Sequence, residues 1–151
     1  MIQRSIVKCL SEAMADTPVV LVHGARQTGK STLVKAYSES INHGPYLTLD
    51  DATILAAATA DPPGFLSRYD GPIVLDEVQR APGLFRAIKL SVDRSRQPGR
   101  YLLTGSADVL LLPHLSESLA GRMEILTLWP FSGSEMAGST GSIVDVLFTD
   151  R

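Results

Sequence analysis

Cysteine is nearly absent: Cys9 is the single one in 151 residues. An internal disulfide is therefore excluded, and a reducing, cytoplasmic setting is expected. Cys9 itself reads as a small apolar filler on the first helix. Charge of one sign is lacking too. Lys plus Arg number 14 against 16 Asp plus Glu, for a net charge of −2. That balance supplies no general attraction to nucleic acid or to an anionic membrane, although a local basic patch is compatible with it. No apolar run is long enough to cross a bilayer. The N-terminus interleaves Arg4, Lys8 and Glu12 with its apolar residues, so it is not a secretion signal. Internal repeats and low-complexity blocks are missing as well. What remains is 44% apolar and 20% charged, the composition of one soluble globular domain with its own core.

The chain is organised around Pro18-Val19-Val20-Leu21-Val22-His23-Gly24-Ala25-Arg26-Gln27-Thr28-Gly29-Lys30-Ser31-Thr32-Leu33. A short apolar run enters Gly24. Gly29-Lys30-Ser31 follows, and a helical pattern begins there. This is the phosphate-binding loop pattern G-x-x-x-x-G-K-[ST] between a strand and a helix. Gly24 and Gly29 allow backbone conformations that side chains forbid. The amides of Gly24, Ala25, Arg26, Gln27, Thr28, Gly29, Lys30, Ser31 and Thr32 are thereby expected to form a concave anion nest, reinforced by the helix N-terminus. Lys30 reaches the β- and γ-phosphates as a point charge, and the Ser31 hydroxyl is a Mg²⁺ ligand.

Residues 2–15 repeat apolar positions at helical spacing, and Asp16-Thr17-Pro18 ends them. A buried strand is expected over residues 19–23 and a helix over about 30–41, with Leu33, Val34, Ala36 and Tyr37 inward. Tyr46-Leu47-Thr48-Leu49 reads as a second strand leading to Asp50-Asp51. Either acid caps the helix over residues 52–60 or serves an ancillary Mg²⁺ or nucleotide role. Asp61-Pro62-Pro63-Gly64 reads as a turn and residues 65–69 as a short helix.

Ile73-Val74-Leu75-Asp76-Glu77 is the second diagnostic stretch. In a parallel sheet it places Asp76 at a strand's carboxyl end, beside the phosphate loop. There Asp76 holds Mg²⁺ through a water and Glu77 polarises a second water for attack on the γ-phosphate. Asp76 lies 46 positions after Lys30, a gap that holds a helix, a strand and another helical segment. The acidic strand is thus third in chain order, which suits the P-loop class that inserts a strand between the two motifs and uses a glutamate for catalysis.

A helix over about residues 84–94 follows. Arg86, Lys89, Arg94, Arg96 and Arg100 make a basic stretch that reads as a solvated face. Residues 100–106 form a fourth strand. If it lies between the first and the third, Thr104 or Ser106 faces the γ-phosphate as a sensor; alternatively Ser106 is a helix N-cap. Residues 107–121 are helical in part, interrupted at Pro113, with Gly121 as C-cap. Residues 123–128 form a fifth strand. Arg122, just before it, either stabilises charge on a phosphoryl group in a neighbouring subunit or is an ion-paired surface residue. Trp129-Pro130-Phe131 closes the sheet. Residues 132–151 read as a linker or the start of a truncated second domain.

These motifs together support a resemblance. The chain resembles the prokaryotic ATPases of the AAA+ superfamily that carry an N-terminal AAA domain followed by a C-terminal domain of unknown function. The resemblance rests on Gly24 to Ser31, Leu49-Asp50-Asp51, Leu75-Asp76-Glu77-Val78-Gln79, Pro98 to Ser106 and Ser118-Leu119-Ala120-Gly121-Arg122, in that order. The family usually has proline in place of Ala25 and often threonine in place of Ser31, changes that leave phosphate and Mg²⁺ binding intact. The resemblance implies an α/β, three-layer P-loop NTPase domain over residues 1–131, with a five-stranded parallel sheet in the order 5-1-4-3-2. It implies ATP and Mg²⁺ as cofactors and ATP hydrolysis as the activity. ATP is favoured over GTP because an Asn-Lys-x-Asp guanine-reading motif is lacking. Two rivals stand beside this reading. One is a nucleotide-dependent switch that acts on DNA or a protein partner through the second domain. The other is a small-molecule kinase, which the adjacent Asp76-Glu77 pair suits less well.

Overall fold

The computed structural model describes residues 2–25 and 29–129. Helix α1 (Ile2–Asp16) leads to strand β1 (Val19–Gly24), and helix α2 (Lys30–Tyr37) follows, its last turn widening into a π-helical turn, Ser38–Asn42. Next come β2 (Tyr46–Thr48), α3 (Ala52–Ala60), α4 (Pro62–Leu66) and β3 (Ile73–Asp76). A 3₁₀ turn (Val78–Arg80), α5 (Gly83–Arg94), β4 (Tyr101–Ser106), a second 3₁₀ turn (Ala107–Leu111), α6 (Pro113–Leu119) and β5 (Met123–Thr127) complete the described chain.

The strands form one five-stranded sheet in the order β2-β3-β4-β1-β5. Every neighbouring pair is parallel. This is the order implied by the resemblance, read from the other edge. Parallel neighbours need crossovers, and helices supply them on both faces, so the inner strands are apolar along most of their length and turn polar towards their carboxyl ends. Side chains alternate between the faces. Val19 and Leu21, Ile73 and Leu75, and Tyr101 and Leu103 point to one layer, where they meet Ala58 of α3, Phe65 of α4, Phe85 and Ile88 of α5 and Leu119 of α6. Val20, Val22, Val74 and Leu102 point to the other, against Leu10, Ala13 and Met14 of α1 and Leu33, Val34 and Tyr37 of α2. The turn before β4 is pinned by Gly99, whose φ is 71° and whose amide donates to the Thr17 carbonyl at 2.9 Å.

Two local expectations are corrected. Cys9 is exposed. The buried stripe of α1 is centred on Leu10, Ala13 and Met14, and Cys9 lies roughly 100° round the helix from its middle. Residues 61–64 are a helix start: Asp61 accepts from the Gly64 amide at 3.1 Å, and the prolines occupy the first helical positions, where a missing N–H costs nothing. The helix expected over about residues 30–41 is present, α-helical to Tyr37 and π-helical from Ser38 to Asn42. His43, at φ 55°, terminates the π turn, and Ser38 Oγ donates to the Gly44 carbonyl at 2.5 Å.

Candidate functional site

The carboxyl ends of β1, β4 and β3 lie side by side at one rim of the sheet. Gly24 is level with Ser106, and Thr48 is level with Asp76. Helix α2 begins at this rim. Gly29, its N-cap, has φ 89°, the left-handed conformation that its residue type permits. Lys30 is only 5% exposed, and its ammonium donates to the Ala25 carbonyl at 2.9 Å. A buried ammonium resting on a neutral carbonyl is a cation poised for an anion. Thr32 stands exposed on the first turn of α2. The expected contacts of Arg26, Gln27 and Thr28 lie outside the described residues, as do residues 130–151.

Asp76 is the hub. It is 3% exposed, and its carboxylate accepts hydrogen bonds from hydroxyls on three elements. Ser31 Oγ, on α2, lies 2.9 Å from Oδ1 and 3.0 Å from Oδ2. Tyr46 Oη, on β2, donates to Oδ2 at 2.5 Å. Thr104 Oγ1, on β4, donates to Oδ1. Strand alternation explains the convergence. Tyr46 is level with Val74, and Leu75 is level with Leu103, so Tyr46, Asp76 and Thr104 all project toward α2. The two sequence motifs are thus joined directly through Ser31 and Asp76. Tyr46 is a site residue that sequence reasoning treated only as part of a strand. Burial, followed by the hydrogen bond to Asp76 and its charge, pushes the Tyr46 hydroxyl well above its ordinary pKa, so it stays a donor.

Thr104 is fully buried, and its oxygen also accepts from the Glu77 amide at 2.9 Å. Its hydroxyl is engaged on both sides and therefore braces the two acids. Ser106, half-buried at the tip of β4, starts the following 3₁₀ turn without a capping hydrogen bond from its side chain. Glu77 leaves the sheet with φ 61° and ψ 47°, a left-handed backbone that costs a non-glycine residue about 1–3 kcal/mol. Its carboxylate accepts from Gln79 Nε2 at 2.6 Å, a contact the sequence did not announce. Asp51 is the helix cap, accepting from the Thr53 and Ile54 amides at 2.8 and 3.3 Å. Asp50 instead pairs with Arg80 at 2.8 Å on the surface. His23, the last residue before Gly24, meets Thr127 Oγ1 at 2.8 Å. Burial and the nearby Lys30 charge lower its pKa below 6.5.

Arg122 lies at the other rim. Its carbonyl accepts from the amide of Val19, the first residue of β1. The length of β1, about 17 Å, therefore separates it from the phosphate loop of its own chain. Its guanidinium donates to Asp93 Oδ1 at 2.7 Å and to the Ala120 carbonyl at 3.0 Å.

The donor chemistry suits a small hard cation. Ser31 and Asp76 offer oxygen only, and among the described residues there is no cluster of three or more His, Cys, Asp and Glu side chains. Mg²⁺ is commonly held in this way, by one or two protein oxygens with waters and substrate phosphates completing the shell.

The chain is similar to two uncharacterised mycobacterial proteins, one from Mycobacterium tuberculosis (strain H37Rv) and one from Mycobacterium bovis. Each is 41% identical over 127 residues, which is 83% of this chain. The chain spans 28% of the length of either relative. The AAA domain family matches residues 16–137, a span that holds the phosphate loop, the acidic strand and all five strands of the sheet. The chain accordingly belongs to the AAA domain family of P-loop nucleotide-binding proteins.

Proposed function

We propose that this chain is a Mg²⁺-dependent ATPase. The observation that carries the reading is the bond from Ser31 Oγ to both oxygens of Asp76, at 2.9 and 3.0 Å, which couples a phosphate loop to a buried acid at a strand's carboxyl end. Lys30 and the loop amides bind the β- and γ-phosphates. Ser31 and Asp76 would hold Mg²⁺, whose chemistry there is to neutralise charge on the phosphate oxygens. Glu77 accepts a proton from the attacking water, Thr104 fixes Asp76 and the Glu77 backbone, and Ser106, level with Gly24 at the tip of β4, senses the γ-phosphate. Arg122, facing away from its own loop, serves the site of a neighbouring copy once Asp93 releases it. Residues 1–131 act as the ATPase domain, with residues 132–151 as a linker or the start of a second domain.

The test is Mg²⁺-ATP binding and phosphate release by this chain, with Lys30→Ala and Glu77→Gln alongside. Binding and release, both lost in Lys30→Ala, with binding alone kept in Glu77→Gln, is the expected result. Unchanged turnover in Glu77→Gln would remove the role given to that residue. A second reading is favoured by the relatives' length, of which this chain spans 28%. In it, ATP binding switches a further domain toward a protein or DNA partner with little turnover, and tight binding without phosphate release would select it.

A further inference from the structure

We infer that Gln79 is a catalytic residue whose side-chain carbonyl orients the attacking water together with Glu77; this rests on the ATPase reading above. Two observations lead there. The Gln79 amide is anchored by its nitrogen, since Nε2 donates to Glu77 Oε2 at 2.6 Å. A carboxylate accepts only, so the amide cannot be turned the other way. Its oxygen, Oε1, is then buried with no hydrogen-bond partner among the described residues. Buried carbonyl oxygens are normally satisfied, and an orphan marks a missing donor.

Water is the donor that fits. An amide oxygen and a carboxylate oxygen bound to the same amide's nitrogen can lie about 4.5 Å apart, the separation that one water spans when it donates to two acceptors. A water held this way gives one hydrogen to Glu77 and the other to Gln79 Oε1, and its lone pair is left to point outward. Both residues follow Asp76 at the rim where the phosphates bind. The left-handed turn at Glu77, φ 61°, carries its side chain out of the strand's alternation and lets a residue two positions on face it. In the reaction the water's oxygen bonds to the γ-phosphorus and the bond to the β–γ bridging oxygen breaks. ADP leaves with that electron pair. Glu77 takes one proton and returns it to the phosphate product, and Gln79 exchanges none.

The experiment compares wild type with Gln79→Leu. Turnover is measured with Mg²⁺-ATP, and affinity with two Mg²⁺-ADP analogues: beryllium fluoride, a ground-state mimic, and aluminium fluoride, which mimics the transition state and includes the attacking water. The expected result is a loss in kcat of about a hundredfold, the cost of a misplaced nucleophile, beryllium fluoride affinity within twofold, and aluminium fluoride affinity lowered with kcat. Gln79→Asn, which keeps the amide one methylene short, checks folding and should retain the beryllium fluoride complex. Equal weakening of both analogues would make Gln79 a tether only and overturn the proposal. So would a kcat within threefold of wild type while Glu77→Gln is inactive, and that outcome leaves the ATPase reading standing. Absence of turnover in wild type would remove the ATPase reading, and this inference with it.

Discussion

Thr104→Val separates the hydroxyl from the packing it accompanies. Valine keeps the shape and fills the same fully buried space. It loses the hydrogen bond donated to the Asp76 carboxylate and leaves the Glu77 amide, now 2.9 Å from Thr104 Oγ1, without its acceptor. The bond to a charged group is worth about 1.5–3 kcal/mol, and an unsatisfied donor costs about 1–3 kcal/mol. The added methyl returns about 0.8 kcal/mol. Some of the loss is recovered by relaxation of the left-handed backbone at Glu77. A net destabilisation of about 2–4 kcal/mol follows, a fall in Tm of about 6–13 °C for a domain of this size. Urea unfolding should show the midpoint moving with the m-value unchanged. Thr104→Ser, which keeps the hydroxyl and loses the methyl, should be the more stable of the two variants, the reverse of their hydrophobic order. Valine equal to or better than serine would refute the idea that this hydroxyl braces the site.

Four more outcomes follow from the geometry. In Tyr46→Phe the Asp76 carboxylate loses one of its holders, and the Mg²⁺ concentration needed for tight ATP binding should rise several-fold while affinity in EDTA stays the same; a fluorescent-nucleotide titration reads both. The same variant carries a pH signature. Because the folded protein raises the Tyr46 pKa above the ordinary 10.0, the wild type is expected to lose stability as pH rises through 10, where only the unfolded chain ionises, and Tyr46→Phe should lose less over that window in urea titrations. Gly99→Ala should destabilise by about 2 kcal/mol or more. Its φ is 71° and an added Cβ would sit 2.8 Å from the Met14 carbonyl oxygen, so alanine meets both backbone strain and a contact with no flexible partner. For His23, imidazole resonances followed by NMR should titrate below 6.5, and Lys30→Ala should bring that midpoint upward, since the Lys30 charge is one of its two causes.

The fold was legible because its signals are local and repeated. An apolar run into Gly24 and another into Asp76 each state a strand, its direction and its ligand-bearing end, and the strand order came with the family resemblance. The position of Asp76 beside the phosphate loop was legible for the same reason. What escaped depends on relations that a sequence does not write down. Tyr46 meets Asp76 only because β2 lies beside β3 in a register that makes Tyr46 level with Val74. Gln79 faces Glu77 only because Glu77 adopts φ 61°, and a glutamate carries no cue for a left-handed turn. Asp61 was hidden for a subtler reason. Asp-Pro-Pro-Gly serves equally as a turn and as a capped first helical turn, and Phe65 and Leu66, buried beneath it, decide for the helix. The expectation for Arg122 included an ion-paired surface residue, and Asp93 supplies that partner.

Asp76 draws its three hydroxyl partners from an inner helix, an edge strand and a central strand. The groups that would govern a metal are therefore also rivets between parts of the architecture. Mutational tolerance at this position is curtailed twice over, because asparagine would weaken the charge and loosen the joint together. Drift can proceed at Glu77, whose carboxylate bonds, among the described residues, to its neighbour Gln79. A lineage that abandoned turnover while keeping the nucleotide as a structural plug would be expected to shed Glu77 first and Asp76 last.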